Sequence, residues 1–281
     1  MNFDALVYLK LIRPVNVLLG ALTIFVGAFI TGTIQPLHKV VLACVSGVAI
    51  MGAGNAINDY FDIAIDRINK PFRPLPSALL DREAALKFAI ILFVLGIFLS
   101  IFINWASFFL AVFIAVSLVG YSFRLKQTVL IGNLAVSLFS ALAFVYGSLA
   151  VGKGHHALFP AGFAFLFHLG REIIKDIEDM EADRARSART LPIRFGTRVA
   201  LSAATCVFSL LICLTILPFS LDIYGKAYFI VALIGIDFVI VCILCLMWLY
   251  PFPESLRRIS LVLKADMFIG LFAIYLGIQS S

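Results

Sequence analysis

Apolar residues fill this chain in long runs, and short polar connections separate one run from the next. Each run is close to the length of about 20 residues that an α-helix needs to cross a bilayer. Because lipid offers the backbone no hydrogen-bond partners, the pattern predicts an all-α, polytopic membrane protein that forms a single domain over residues 1–281. The nine predicted spans cover about residues 16–34, 39–57, 83–102, 105–123, 129–151, 157–175, 199–218, 226–250 and 260–279.

The composition agrees with this class. Hydrophobic residues make up 62% of the chain and charged residues 14%, whereas about 25% of a soluble globular protein is charged. All five cysteines lie inside apolar runs. We therefore expect them to be buried small hydrophobic residues rather than zinc ligands.

The basic residues predict how the spans are oriented. Of the 22 lysines and arginines, 19 fall on the side of the N-terminus and three on the other side, when the chain crosses nine times. By the positive-inside rule, the N-terminus is cytoplasmic and the C-terminus lies outside. A wrong number of spans would have mixed the two sides, so this split supports nine.

The most polar stretch of the chain is residues 55–80, NAINDYFDIAIDRINKPFRPLPSALL, directly after the second predicted span. Asn58, Asp62 and Asp66 are four residues apart, so their side chains lie along one helix face. Carboxylates on one face repel each other unless a cation lies between them, and oxygen ligands suit Mg²⁺. The spacing fits a metal site, and it also fits a solvated helix end.

A second acidic stretch, residues 171–196, follows the sixth predicted span on the same side of the membrane. Asp176, Asp179 and Asp183 are three and four residues apart, which again predicts one helical face. Two acidic helix ends on one side favour a shared metal site over two solvated helix ends.

Basic residues follow both acidic faces and indicate what the metal ions bind. Arginine and lysine next to carboxylates and a metal are typical of a phosphate or diphosphate site. After the first acidic face, three prolines predict that the helix ends and that an extended segment follows it. The candidate phosphate-binding residues are Arg67, Lys70 and Arg73 after the first face and Lys175 within the second stretch, where Arg184, Arg186 and Arg189 follow the acids.

Weaker signals lie on the same predicted side. Arg13 and Asn16 begin the first span, Tyr121 and Lys126 close the fourth, and Asn133 opens the fifth. An asparagine is costly to bury in a membrane, so Asn133 is expected to have a polar partner or a ligand.

An ionisable residue inside the membrane also indicates function, and Asp237 lies near the middle of the eighth predicted span. It is the residue that a cation transporter would use, so transport stays an alternative. The other acids argue against transport, because they lie at helix ends and transporter sites lie near the bilayer midplane.

At these motifs the chain resembles the UbiA superfamily of intramembrane prenyltransferases. NDYFDIAID is similar to the family's N-x-x-x-D-x-x-x-D motif and KDIEDMEAD to its D-x-x-x-D motif. YSFRLKQTVLIGN resembles its Tyr–Lys–Gly-Asn signature, and INKPFRPLPS resembles its cap segment. The chain departs from the family where Ala78 and Ala182 replace common glycines.

The resemblance implies nine helices around a central cavity with a cytoplasmic cap, and two Mg²⁺ ions that hold a prenyl diphosphate. Asn58, Asp62 and Asp66 would hold one ion, and Asp179 and Asp183, with Asp176, the other; Asp62, Asp66, Asp179 and Asp183 would be the catalytic residues. Arg67, Arg73 and Lys126 would stabilise the leaving diphosphate. Arg13 and Asn16 would bind the polar end of the acceptor.

REIIKDIED and ARTLPI are most similar to those family members that transfer a geranylgeranyl group to geranylgeranylglyceryl phosphate in ether-lipid synthesis. The alternative within the family is an aromatic acceptor, as in quinone or chlorophyll-type pathways. In both cases the enzyme is expected in the cell membrane, in contact with lipids, with its active site facing the cytoplasm.

Overall fold

A computed structural model of the protein describes residues 5–123, 128–185 and 188–279. Helices make up nearly all of these ranges, and they contain no β-strand. The helices are α1 (Ala5–Ile12), α2 (Pro14–Phe29), α3 (Leu37–Asn69), α4 (Arg82–Ile101), α5 (Trp105–Phe123), α6 (Ile131–Ala150), α7 (Leu158–Glu178), α8 (Met180–Ala185), α9 (Leu191–Phe195), α10 (Thr197–Ser220), α11 (Lys226–Val231), α12 (Phe238–Leu249) and α13 (Pro253–Gln279). A 3₁₀ turn, Gly154–Ala157, precedes α7, and a π-helical turn, Ala232–Asp237, joins α11 to α12.

The helices confirm the predicted class of membrane protein. Within the described ranges, eight helices are long and apolar enough to cross a membrane. Helices α1 and α2 form a further candidate span that is bent by 56°, which brings the number to nine if the bent pair counts as one. The bend falls at Arg13-Pro14, where the proline lies at the start of α2, a position that suits its fixed φ.

The chain forms two compact units. The first comprises Met1–Lys126 and Ala143–His155. Ser46 on α3 binds the carbonyl oxygen of Gly96 on α4 at 2.7 Å and the hydroxyl of Tyr146 on α6 at 2.7 Å. Polar contacts of this kind join helices in lipid, where burial of apolar surface does not drive helix association.

Helix α3 is the central element of this unit and carries the first acidic motif. Its 33 residues make it about 50 Å long, well beyond the roughly 30 Å of a bilayer core. Small residues come directly before the motif, and a side chain at Gly54 would press against Leu118 of α5. The neighbouring helices therefore pack closely against α3, and its last turns extend past the apolar zone.

The second unit comprises Gln127–Leu142 and His156–Ser281. The ring of Phe208 on α10 lies directly over Gly170 on α7, and Ile269 on α13 lies over Gly235 in the π-helical turn. Tyr228 on α11 donates a hydrogen bond to the carbonyl oxygen of Thr215 on α10 at 2.8 Å. The first of these contacts packs α10 against α7, on which the second acidic motif begins.

Large apolar side chains cover the outer faces of many helices, as expected of surfaces that contact lipid. On α4, for example, Ile91 and Val94 are each 62% exposed. The prediction of buried cysteines is wrong for four of the five, because only Cys44 is partly buried and the others are exposed. A cysteine is apolar enough to lie on a lipid-facing surface, so an apolar run does not decide between the two positions.

Candidate active site

The acids of the first motif lie on the last turns of α3, as the spacing predicts. Asn58 and Asp62 are partly buried, and Asp66 is buried. Asp66 forms an ion pair with Arg73, whose Nη1 lies 2.7 Å from Asp66 Oδ2. Sequence and structure therefore agree in placing Arg73 beside the first acidic face.

The structure adds Asp59, which is not among the predicted site residues. Its carboxylate is only 2% exposed, and Oδ1 accepts hydrogen bonds from Arg13 Nη2 and from Arg73 Nη1, the latter at 3.0 Å. A signal for Asp59 exists in the sequence: it lies seven residues before Asp66, which places both on one helix face. The four-residue spacing of Asn58, Asp62 and Asp66 does not include Asp59, so the motif alone does not point to it.

Arg13 reaches this carboxylate from the bend between α1 and α2. Its backbone has φ 56° and ψ 74°, in the left-handed region, which costs a residue with a side chain about 1–2 kcal/mol. Asn55 fixes the same bend from α3, because its Nδ2 donates to the carbonyl oxygen of Ile12 at 2.8 Å. The side chain of Asn16, the other predicted acceptor residue, is exposed.

The segment after α3 is compact, so the prediction that it is extended is wrong. The helix ends at Asn69, as the prolines predict, but hydrogen-bonded turns follow. Arg73 N donates to Lys70 O at 3.0 Å, and Ser77 N donates to Arg73 O at 3.0 Å. A proline fixes φ near a value that tight turns also use, so proline content alone does not separate turns from extended chain.

The other predicted residues of the first unit differ in exposure. Arg67 and Lys70 are exposed at the C-terminal end of α3, and Tyr121 is partly buried on α5. The prediction for Lys126 concerns a residue outside the described ranges.

The second motif begins on α7, and Asn133 supports it. Asn133 is 7% exposed, and its Nδ2 donates to Asp176 Oδ2 at 2.9 Å. The prediction that a buried Asn133 has a polar partner is confirmed. This bond fixes one oxygen of Asp176 and leaves its carboxylate able to accept further bonds.

The second motif is not on one continuous helix, which corrects the predicted single helical face. Helix α7 ends at Glu178, Asp179 lies at its C-cap, and α8 begins at Met180. Asp183 N still donates to Asp179 O at 2.9 Å, so the turn keeps a helical hydrogen bond. Asp179 is exposed, and Asp183 is partly buried.

Two basic residues of α7 form ion pairs with Glu172 on the same helix, an acid that is not among the predicted site residues. Arg171 Nη1 lies 2.9 Å from Glu172 Oε1, and Lys175 Nζ lies 3.9 Å from Glu172 Oε2. Lys175 directly precedes Asp176 and lies one turn before Asp179, and its contact with Glu172 is long and partly exposed. A lysine in such a position can turn toward a phosphate with little loss of stability.

The donor atoms of both motifs suit Mg²⁺, because they are carboxylate and amide oxygens without any sulfur or imidazole. Among the described residues, however, no three His, Cys, Asp or Glu side chains are close enough to hold a metal ion by themselves. Mg²⁺ usually completes its octahedron with water and substrate phosphate oxygens. The residues present fit an ion that binds together with a phosphate-bearing substrate.

Asp237 lies in the π-helical turn within the membrane span of the second unit and is buried. Both of its oxygens lie 3.0 Å from Thr215 Oγ1, so a hydroxyl of α10 is within hydrogen-bond distance of the carboxylate. Asp266, on the adjacent α13, is 3% exposed, and neither of its carboxylate oxygens has a hydrogen-bond partner in the described part of the chain. The sequence reading missed Asp266, although a lone acid in an apolar helix is visible there.

The fold and these two acidic motifs define a class, the intramembrane prenyltransferases with paired acidic motifs. Comparison with known proteins gives the family. The profile described as UbiA prenyltransferase family matches residues 20–271, and the chain belongs to this family.

Two of its relatives match it over nearly their whole length. The chain is 34% identical over 270 residues to the digeranylgeranylglyceryl phosphate synthase of Methanosphaera stadtmanae, covering 96% of this chain and 98% of the relative. It is 35% identical over 274 residues to the synthase of the same name from Thermococcus kodakarensis, covering 97% of each.

Solved structures share the fold. A solved structure described as giving insight into digeranylgeranylglyceryl phosphate synthase in membranes matches the chain with a TM-score of 0.84. The two are 35% identical, and the match covers 97% of both chains. A UbiA homologue from Archaeoglobus fulgidus bound to DMAPP and Mg²⁺ has a TM-score of 0.70 and 21% identity, covering 95% of this chain and 99% of that one. The all-α, multi-span fold expected from the sequence is confirmed.

Proposed function

We propose that the protein transfers a geranylgeranyl group from its diphosphate to geranylgeranylglyceryl phosphate, with Mg²⁺ as cofactor. The observation that carries this proposal is the near-complete match to digeranylgeranylglyceryl phosphate synthases at 34–35% identity. The site supports it as well, because Arg73 pairs with Asp66 in the first motif and Lys175 directly precedes Asp176 in the second. Such a set of groups suits an anionic donor and an anionic acceptor.

Each acidic motif would hold metal through its own residues. Asn58, Asp62 and Asp66 of the first unit and Asp176, Asp179 and Asp183 of the second would supply the oxygen ligands. When bound, Mg²⁺ would neutralise the diphosphate and make it a better leaving group.

The basic residues would stabilise charge as the reaction proceeds. Arg73, Arg67 and Lys126, with Lys70 and Lys175, would donate hydrogen bonds to diphosphate oxygens, where negative charge grows as the allylic C–O bond breaks. Arg13 and Asn16 would bind the acceptor's phosphate. Tyr121 of the first unit and Asn133 of the second would each offer a polar group to a substrate.

In the transfer step, bonds break and form only between the donor and the acceptor, and the protein forms no covalent bond. The diphosphate leaves with the electron pair of the broken bond, and the allylic carbon gains carbocation character. The acceptor hydroxyl attacks this carbon, an ether bond forms, and the hydroxyl proton is released. Exclusion of water would protect the cationic carbon from hydrolysis.

The topology follows from the charge distribution. Basic residues concentrated on one side of the spans favour a protein of the cell membrane with a cytoplasmic N-terminus and an outside C-terminus. The acidic motifs would then face the cytoplasm, where soluble Mg²⁺ is available.

One assay tests the proposal and separates it from its alternatives. Purified protein would be incubated with labelled geranylgeranyl diphosphate, Mg²⁺ and either geranylgeranylglyceryl phosphate or an aromatic acid. We expect label in the lipid-phosphate product and release of diphosphate that stops when EDTA is added. Label in the aromatic acid alone would assign the other acceptor class. No release of diphosphate under any condition would reject prenyl transfer and leave cation transport as the candidate.

A further inference from the structure

Asp59 joins two arginines that are far apart in the sequence. The same oxygen, Oδ1, accepts from Arg13 Nη2, 46 residues before it, and from Arg73 Nη1, 14 residues after it. Because one atom accepts both bonds, the two guanidinium groups lie side by side. Without Asp59 they would repel each other.

Burial divides the roles within this group. Asp59 is 2% exposed, whereas the side chains of Arg13 and Arg73 are 28% and 21% exposed. A buried carboxylate that is fully engaged with cations is poorly placed to bind a substrate. The arginines can bind one, since each guanidinium has five N–H donors and the pairs with Asp59 use one nitrogen of each.

Arg73 is the only one of the two arginines that also pairs with Asp66 among the described contacts. Asp66 is a proposed metal ligand, and an oxygen that binds a metal is no longer available to a guanidinium group on equal terms. Asp59 would keep Arg73 in place whether or not Asp66 binds metal. Asp59 can therefore hold Arg73 when a metal ion occupies Asp66, whereas Asp66 then cannot.

We propose that Asp59 is a positioning residue, not a metal ligand, and that it holds Arg13 and Arg73 side by side as one receptor for phosphate groups of the substrates. The proposal rests on the proposed function, because it takes the substrates to be a prenyl diphosphate and a lipid phosphate. It explains why Arg13 keeps a left-handed backbone, since strained residues persist where their surroundings fix them for function.

The test compares three Asp→Asn variants. Asp59→Asn removes the bridging charge, Asp62→Asn removes a proposed metal ligand, and Asp81→Asn is the matched control. Asp81 is an exposed N-cap whose Oδ2 accepts from Glu83 N at 3.0 Å, and asparagine caps a helix equally well. For each purified variant, the Kd of Mn²⁺ is measured by electron paramagnetic resonance with saturating inorganic diphosphate, the Kd of inorganic diphosphate is measured by calorimetry in EDTA, and KM and kcat are measured by turnover.

We expect Asp59→Asn to bind Mn²⁺ almost as tightly as wild type but to raise the Kd of inorganic diphosphate and the KM of geranylgeranylglyceryl phosphate. Each rise should be roughly tenfold or more, as for loss of charged hydrogen bonds. Asp62→Asn should bind Mn²⁺ much more weakly, because a neutral amide oxygen replaces a carboxylate, and Asp81→Asn should match wild type. Loss of Mn²⁺ by Asp59→Asn to the extent seen for Asp62→Asn would make Asp59 a ligand, and unchanged Kd and KM values would also overturn the proposal.

A second set of variants keeps the proposal testable if Asp59→Asn does not fold. Arg13→Gln, Arg73→Gln and the double variant are compared for the Kd of inorganic diphosphate. Two arginines that act as one receptor give a double variant whose effect is smaller than the product of the single effects. If the effect of the double variant equals the product of the two single effects, the arginines act independently, which would contradict the proposal. Because this readout needs no turnover, it stands even if the wild-type protein fails to prenylate a lipid phosphate.

Discussion

In the first acidic motif the acids lie on one uninterrupted helix, whereas in the second motif a helix ends between them. Helix α3 continues to Asn69, past Asp66. Helix α7 ends at Glu178, and Asp179 caps it. A motif on a continuous helix has a fixed spacing, while a motif across a helix end can change its spacing at small cost.

The two motifs also balance charge differently. Residues 55–73 contain three acids and three bases, whereas residues 171–185 contain six acids and three bases. In the first motif, arginines from distant parts of the chain reach the carboxylates, as Arg13 and Arg73 reach Asp59. In the second, Glu172 pairs with Arg171 and Lys175 of the same helix, and Asp176 accepts a hydrogen bond from Asn133 of α6. Because acids outnumber bases only in the second stretch, we expect the second motif to depend more on a bound cation than the first.

The largest expected effect is the loss of activity when either motif loses a ligand. Asp62→Ala and Asp179→Ala should each reduce prenyl transfer by a factor of about one hundred or more, because metal stabilisation of the leaving group is worth several kcal/mol. Turnover is measured in detergent with excess Mg²⁺. Asp222→Asn is the control, since Asp222 is exposed with φ 55° and asparagine tolerates that backbone. Near wild-type turnover for either alanine variant would refute the two-motif scheme.

A smaller effect is a change in unfolding temperature, which should have opposite signs when an acid is neutralised in the first motif and in the second. In EDTA, Asp66→Asn should lower the unfolding temperature, because it removes the ion pair with Arg73, at a cost of about 1–3 kcal/mol. Asp179→Asn should raise it slightly, by a few tenths of a kcal/mol, because it relieves repulsion among neighbouring acids.

The same scans repeated with Mg²⁺ complete this test. Ligand binding to the native state stabilises it, so Mg²⁺ should raise the unfolding temperature of wild type more than that of Asp179→Asn. If both substitutions shift the unfolding temperature in EDTA in the same direction, the contrast between a self-balanced and a cation-dependent motif is wrong.

The smallest effect concerns the turn beside the first motif. Ala78 has φ 58°, where glycine is favoured over alanine by about 1 kcal/mol. Ala78→Gly should therefore raise the unfolding temperature by a few degrees. Ala64→Gly, on an exposed position inside α3, should lower it by a similar amount, since glycine is about 1 kcal/mol worse than alanine there. Equal shifts in both variants would mean that strain at Ala78 is not what the substitution relieves.

Much of the candidate site was predictable because helical spacing fixes which side chains share a face. Asp62 and Asp66 lie on α3 as expected, and Asn133 has the partner that its burial requires. The pairing of Asp59 with Arg13 was not predictable, because nothing in local spacing relates residues 46 positions apart. The turns after Asn69 were also missed, since proline restricts φ without deciding which carbonyl groups accept the next hydrogen bonds.

The sequence by itself determined the membrane class, the presence of long apolar helices along the chain and the residue types of the two acidic motifs. Those properties follow from hydrophobic run length, charge distribution and helical periodicity, all of which are local along the chain. Only the tertiary structure decided that one oxygen of Asp59 binds two arginines, that α7 ends inside the second motif and that Asp266 has no described partner. Each of these depends on packing between segments distant in sequence, where a buried charge is stable only if another segment supplies its partner.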